Sequence, residues 1–299
     1  MKNFGKFMLA FVPVIMILTI FFGSEIVSIL LFMAGSFITG GYDSLFSSLQ
    51  NMMNHTTMLT FIMYLCGAIP AALWYYFGFY RKGKALRTNT WIRPSSFGLI
   101  ALLGLGLYKA VDLLMIFLSA VMPQAMKNYS DLIESSNLGE LSFLAIITTV
   151  ILAPVVEELV FRGLTLRLFR RSGVPFFMAN ILQAVLFGLY HMNLIQGIYA
   201  ALLGLFLGYL ANRYRTLLAS MTLHAVFNFC GTILTQLDAA LFQNFFVQLL
   251  LMITGVLLSV AIMHLIQNQQ PKKAPQAMAL GIPNLRQTPY DQVEGESFI

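Results

Sequence analysis

Two adjacent carboxylates, Glu157 and Glu158, stand in the run Pro154-Val155-Val156-Glu157-Glu158-Leu159-Val160-Phe161-Arg162-Gly163, which is otherwise apolar. Phe187-Gly188-Leu189-Tyr190-His191 follows, and then His224-Ala225-Val226-Phe227-Asn228. An ionisable side chain inside an apolar span costs about 2.5–3.5 kcal/mol on insertion scales, so each of these requires a reason. Together they could hydrolyse an amide. That chemistry needs an activated water, a stabiliser for the tetrahedral oxyanion and a proton for the leaving amine. Burial disfavours the charged form of a carboxylate, which suits a general base. Asn donates through its amide and His through a ring N–H, and both suit a developing oxyanion. No Ser or Cys stands beside them as a nucleophile, which points to attack by water rather than an acyl-enzyme.

Spacing sorts these residues further. Adjacent residues on a helix point about 100° apart, so Glu157 and Glu158 divide their roles. Glu158 and Arg162, four apart, stack on one face as an ion pair and read as structural support. Glu157 projects elsewhere, with no partner nearby in the sequence. His224 and Asn228 are also four apart and share a face. Glu157 precedes Arg167 by ten residues, about 15 Å of helix, and His224 follows Arg215 by nine, about 13 Å, so their depths match. His191, counted from Val174, would lie about 25 Å deep. That requires either that residues 172–178 lie along the interface or that the fifth helix tilts and breaks early. Broken backbone is tolerated where it lines a polar cavity, which Met192 and Asn193 would then join.

The elements that must position these groups are membrane spans. The 299 residues are 58% hydrophobic and 10% charged, with a mean hydropathy of +0.77. Soluble domains carry roughly 25% charged residues, and here the apolar residues come in long runs. The expected fold is all-α, a polytopic bundle of about eight transmembrane helices enclosing a polar cavity, over residues 1–266. Spans are expected at 7–39, 57–80, 96–122, 141–166, 176–192, 195–212, 216–236 and 243–266. The net charge of +6 does not imply nucleic acid, because the basic residues sit between apolar runs. They cluster at Lys2 and Lys6, at Arg81 to Arg93, at Arg167 to Arg171, at Arg213 and Arg215, and at Lys272 and Lys273. All fall on one side if there are eight spans with both termini in the cytoplasm. The opposite loops, 40–56, 123–140 and 237–242, hold only one basic residue, Lys127. Residues 267–299 read as a disordered cytoplasmic tail.

The pattern Glu-Glu-x-x-x-Arg, Phe-x-x-x-His, His-x-x-x-Asn resembles the CPBP family. That family comprises CAAX prenyl endopeptidases and the bacterial bacteriocin-processing and immunity proteins, or Abi proteins. The motifs are complete and in family order over residues 157–228, and Val-Phe-Arg-Gly after the glutamates resembles the family as well. Residues 1–140 add only topology. The resemblance implies an intramembrane endopeptidase in a cell membrane in which Glu157 and His191 polarise water, while His224 and Asn228 bind the oxyanion. Its substrate would be a peptide or membrane-associated protein. The lack of long eukaryotic-style loops points to a bacterial processing or immunity role. Glu157, His191 and His224 also match a catalytic zinc set with a fourth position for water. The resemblance to glutamate-type members favours a site without a cofactor.

Two other classes use the same residues: a non-proteolytic scaffold or bacteriocin immunity protein, and an ion-coupled transporter built on a Glu–His relay. Elsewhere, Lys109 and Asp112 are expected to neutralise each other, and Gly204 and Gly208 to permit close helix packing. Pro154 is expected to kink the fourth helix. Cys66 and Cys230 read as buried structural thiols.

Overall fold

The computed structural model describes residues 2–39, 56–82, 94–135, 142–235 and 244–269. Among these the chain is helical throughout, with seven helices long and apolar enough to cross a membrane. The elements are α1 (Lys2–Leu9), α2 (Val12–Thr39), α3 (Thr56–Tyr75), α4 (Pro94–Val121), α5 (Pro123–Ser135), α6 (Phe143–Ile146), α7 (Ala153–Glu158), α8 (Leu166–Arg171), α9 (Phe176–Tyr190), α10 (Leu194–Arg213), α11 (Leu217–Phe229) and α12 (Phe245–Asn268). π turns extend α3 (Tyr76–Tyr80) and α11 (Cys230–Leu234), and two more join α6, α7 and α8 into one rod. The chain is a multi-span membrane protein, with large apolar side chains such as Phe117, Phe177 and Leu257 facing outward. The compact unit ends at Gln269, and the expected tail lies outside the described residues from 270 onward.

The fifth expected span differs from the others. α9 has only 15 residues, about 22 Å at 1.5 Å per residue, against a hydrocarbon core of roughly 30 Å. It is therefore shorter than a full span. Met192 adopts a positive φ of 52° at the turn that follows, and the Asn193 side chain accepts from Gln196 N–H at 3.1 Å to start α10. The two helices pack through small residues. A Cβ on Gly188 would strike the Gly197 carbonyl, one on Gly204 would meet Ala184 at 3.1 Å, and one on Gly208 would collide with Asn180. Because α9 and α10 form a hairpin, they begin and end on the same side whether or not they cross fully.

Contacts at the helix ends bring several of the segments that carry basic residues together. Phe7 and Phe11 pack on Phe169, each with centroids 5.3 Å apart, which brings the N-terminus to the end of α8. Arg167 and Arg171 lie over the Phe79 ring beyond α3, at 4.7 and 3.9 Å. Ser96 at the start of α4 and Tyr214 after α10 both donate to Gln269 Oε1, at 3.1 and 2.8 Å.

Two regions depart from expectation. The loop at 123–140 contains helix α5, whose Tyr129 hydroxyl meets that of Tyr199 at 3.3 Å. Cys230 is buried, but Cys66 is exposed on the outward face of α3, and no disulfide joins them. Lys109 and Asp112 pair at 3.0 Å as expected. Lys109 lines a cleft of about 570 Å³ between α4 and α12.

Candidate active site

The rod from α6 to α8 carries both glutamates, and its hydrogen-bond register changes around them. Pro154, at the start of α7, has no N–H to donate. The preceding N–H, that of Ala153, bonds to Thr148 O in the π turn Ile147–Leu152. In that register the donor for Thr149 O would be Pro154, which has none. Asn228 supplies it: its Nδ2 donates to Thr149 O at 2.9 Å. At the position of the expected kink, two π turns, Ile147–Leu152 and Leu159–Thr165, flank the six residues that hold Glu157 and Glu158. Single π insertions often occur at functional positions.

Glu158 and Arg162 are both fully buried and pair at 2.8 Å. The second arm of Arg162 donates to Gly204 O at 3.2 Å, and the guanidinium lies 4.5 Å from the Phe187 ring. Gln183, also fully buried, donates to the same Gly204 carbonyl at 2.9 Å. The ion pair therefore clamps the rod onto α10 and presents Glu158 Oε1 to His224.

His224 bridges the two carboxylates. Its Nδ1 lies 3.0 Å from Glu158 Oε1 and its Nε2 lies 3.6 Å from Glu157 Oε2. A carboxylate accepts, so Nδ1 carries a proton here. The other oxygen of Glu157, Oε1, accepts from the Tyr64 hydroxyl at 2.6 Å. Glu157 and His224 retain 4% and 3% exposure, so the polar interior is closely packed.

His191 caps the C-terminus of α9. Its Nδ1 lies 2.8 Å from Phe187 O. A carbonyl can only accept, so Nδ1 bears the hydrogen and Nε2 is left as an acceptor in the neutral ring. The early end of α9 places His191 within electrostatic reach of Glu157, His224 and Arg162. Phe187 joins the two histidines, its ring edge-on to His191 at 4.9 Å and to His224 at 5.6 Å.

The structure therefore brings Glu157, Glu158, Arg162, His191 and His224 together, with Asn228 one turn beyond His224 on the same side of α11. Asn228 spends one amide hydrogen on the rod and retains the other. Zinc would need three side chains within about 2.0–2.2 Å of one point. Among the described residues no group of three or more His, Cys, Asp or Glu meets that arrangement. His224 Nδ1 and His191 Nδ1 are committed to Glu158 and to Phe187 O, which leaves Nε2 as the available nitrogen of each ring.

Sequence reading missed Tyr64, Gln183 and Asn180, although all three are polar groups within apolar runs. Gln183 and Asn180, three apart, face α10 through Gly204 O and Leu205 O. Their insertion cost was the available signal. Tyr64 has no such signal, because tyrosine is common in apolar helices.

No curated protein and no solved structure matches the chain. Residues 139–230 match the family model described as type II CAAX prenyl endopeptidase Rce1-like, over less than a third of the length. That segment holds both glutamates, Arg162, both histidines and Asn228. Residues 139–230 are thus similar to the Rce1-like type II CAAX prenyl endopeptidases.

Proposed function

We propose that the protein is an intramembrane endopeptidase in which Glu157 activates water against a peptide bond of a membrane-associated substrate. The observation that carries this reading is the pairing of Glu157 with His224. Their facing atoms are 3.6 Å apart, too far for a direct hydrogen bond and close enough for Glu157 to hold the attacking water while His224 faces the oxygen of the carbonyl it attacks. Water loses a proton to Glu157 Oε2 as its oxygen attacks the carbonyl carbon, and the carbonyl pair moves to oxygen. His191 Nε2 accepts from the same water and aligns it. The oxyanion takes the free amide hydrogen of Asn228 and the Nε2–H of His224, whose second proton comes from solvent before the step and stays on the ring throughout it. Collapse breaks the C–N bond, and the amine leaves with the proton held by Glu157.

The substrate class follows the family description, a CAAX-type peptide presented at the bilayer. The termini and basic clusters lie on the cytoplasmic side in this reading. The test compares peptides released in membranes holding the wild-type protein with those holding Glu157→Ala or Glu157→Gln. General-base loss costs about 10²–10⁴-fold, so cleavage should fall below detection. A biological phenotype that persists with Glu157→Gln would instead support a scaffold or bacteriocin immunity role. Cleavage should survive strong chelation; loss on chelation with recovery on adding zinc would reverse the metal-free mechanism.

A further inference from the structure

We infer that Tyr64 is a positioning residue of this site, holding Glu157 as a correctly aimed base. The inference rests on the peptidase reading and extends it to a helix outside the family-matched segment. The geometry is specific. Glu157 has two carboxylate oxygens, and Tyr64 holds Oε1 at 2.6 Å while Oε2 faces His224. Such a short hydrogen bond to a carboxylate is charge-assisted and directional. It fixes rotation about the last side-chain bond, so the oxygen left over is the one aimed at the reacting position.

Tyr64 is itself held by aromatic packing. Phe21 of α2 meets the Tyr64 ring edge-on at 5.1 Å and the Tyr190 ring at 5.6 Å. One turn along α3, a Cβ on Gly67 would collide with Ile17, so α2 and α3 meet closely at this level. Tyr190 provides an independent indication that the carboxylate lies in a reserved polar position. It is 5% exposed, and its hydroxyl lies within reach of Tyr64 and of the Glu157 charge. Two buried hydroxyls beside one carboxylate make this side of Glu157 polar, which packing alone would not require.

Tyr64 touches Glu157 and not the substrate, so its loss should act on turnover. Tyr64→Phe keeps the ring and removes only the donor. Its kcat should fall about tenfold to a hundredfold, the range for a hydrogen bond to a charged group, with KM unchanged. Placing 3-fluorotyrosine at position 64 restores the donor on a slightly larger ring and should return kcat to the wild-type level. A purely structural role predicts the opposite order, since Phe perturbs packing less than the fluorinated ring. Wild-type kcat in Tyr64→Phe overturns the inference, as does a fluorotyrosine variant no better than Phe. A wild-type protein with no Glu157-dependent cleavage would overturn the peptidase reading first, and this inference with it.

Discussion

Replacing Arg162 with Met tests whether the ion pair organises the site. The change preserves bulk and removes three interactions: the 2.8 Å bond to Glu158 Oε1, the 3.2 Å bond to Gly204 O and the stacking on Phe187 at 4.5 Å. Glu158 is then left in a fully buried position without its cation, facing His224. Breaking one side of a buried pair costs about 3–5 kcal/mol, chiefly because the other charge is stranded. That corresponds to about two to three and a half orders of magnitude in the folding equilibrium. Equilibrium unfolding in mixed detergent micelles measures it. The double change Glu158→Gln with Arg162→Met removes both charges and should recover most of the loss, while cleavage stays low because His224 loses its carboxylate. Lys at position 162 should not substitute, since a point charge cannot serve Glu158 and Gly204 at once. If Arg162→Met unfolds at the wild-type denaturant concentration, the pair is not what holds the rod against α10.

Asn228→Leu strands the Thr149 carbonyl and should cost about 1–3 kcal/mol of stability. Adding Pro154→Ala provides an N–H to the rod and should restore stability without restoring cleavage, as read by unfolding and peptide release on the same preparations. Gly204→Ala sets a methyl against Ala184 and the Arg162 guanidinium at 3.1 and 3.2 Å. It should cost about 1–3 kcal/mol by overpacking, seen in the same unfolding assay, with a parallel loss of activity. Single cysteines introduced at Lys6, Arg171, Arg215 and Lys272 should all react with an impermeant reagent from one side of sealed vesicles; any one reacting from the opposite side breaks the shared-side topology.

The spans and the motif residues were legible because their signals are local. Hydropathy runs and basic clusters mark the helix ends, and spacings of four place Glu158 with Arg162 and His224 with Asn228. The depth of His191 was not, because it depends on α9 stopping after 15 residues, a boundary with no strong breaker before Met192. Asn228 looked like a free donor to substrate. Its bond to Thr149 arises only when a π register combines with the missing N–H of Pro154. Residues 1–140 seemed to add topology alone, yet α3 delivers Tyr64 to Glu157 across 93 positions. A pairing between distant, unremarkable residues leaves no periodic trace.

The placement of the partners also orders the protein's biogenesis. Spans enter the bilayer in chain order, so Tyr64 is in place before Glu157 leaves the translocon. Arg162 sits one turn from Glu158 on the same helix, so the two neutralise each other during insertion and spare the rod two unpaired charges at about 2.5–3.5 kcal/mol each. His224 arrives last, on α11, and meets two carboxylates already set. A chain arrested before α11 would therefore carry the Glu158–Arg162 pair without His224 and with the Thr149 carbonyl lacking its Asn228 donor.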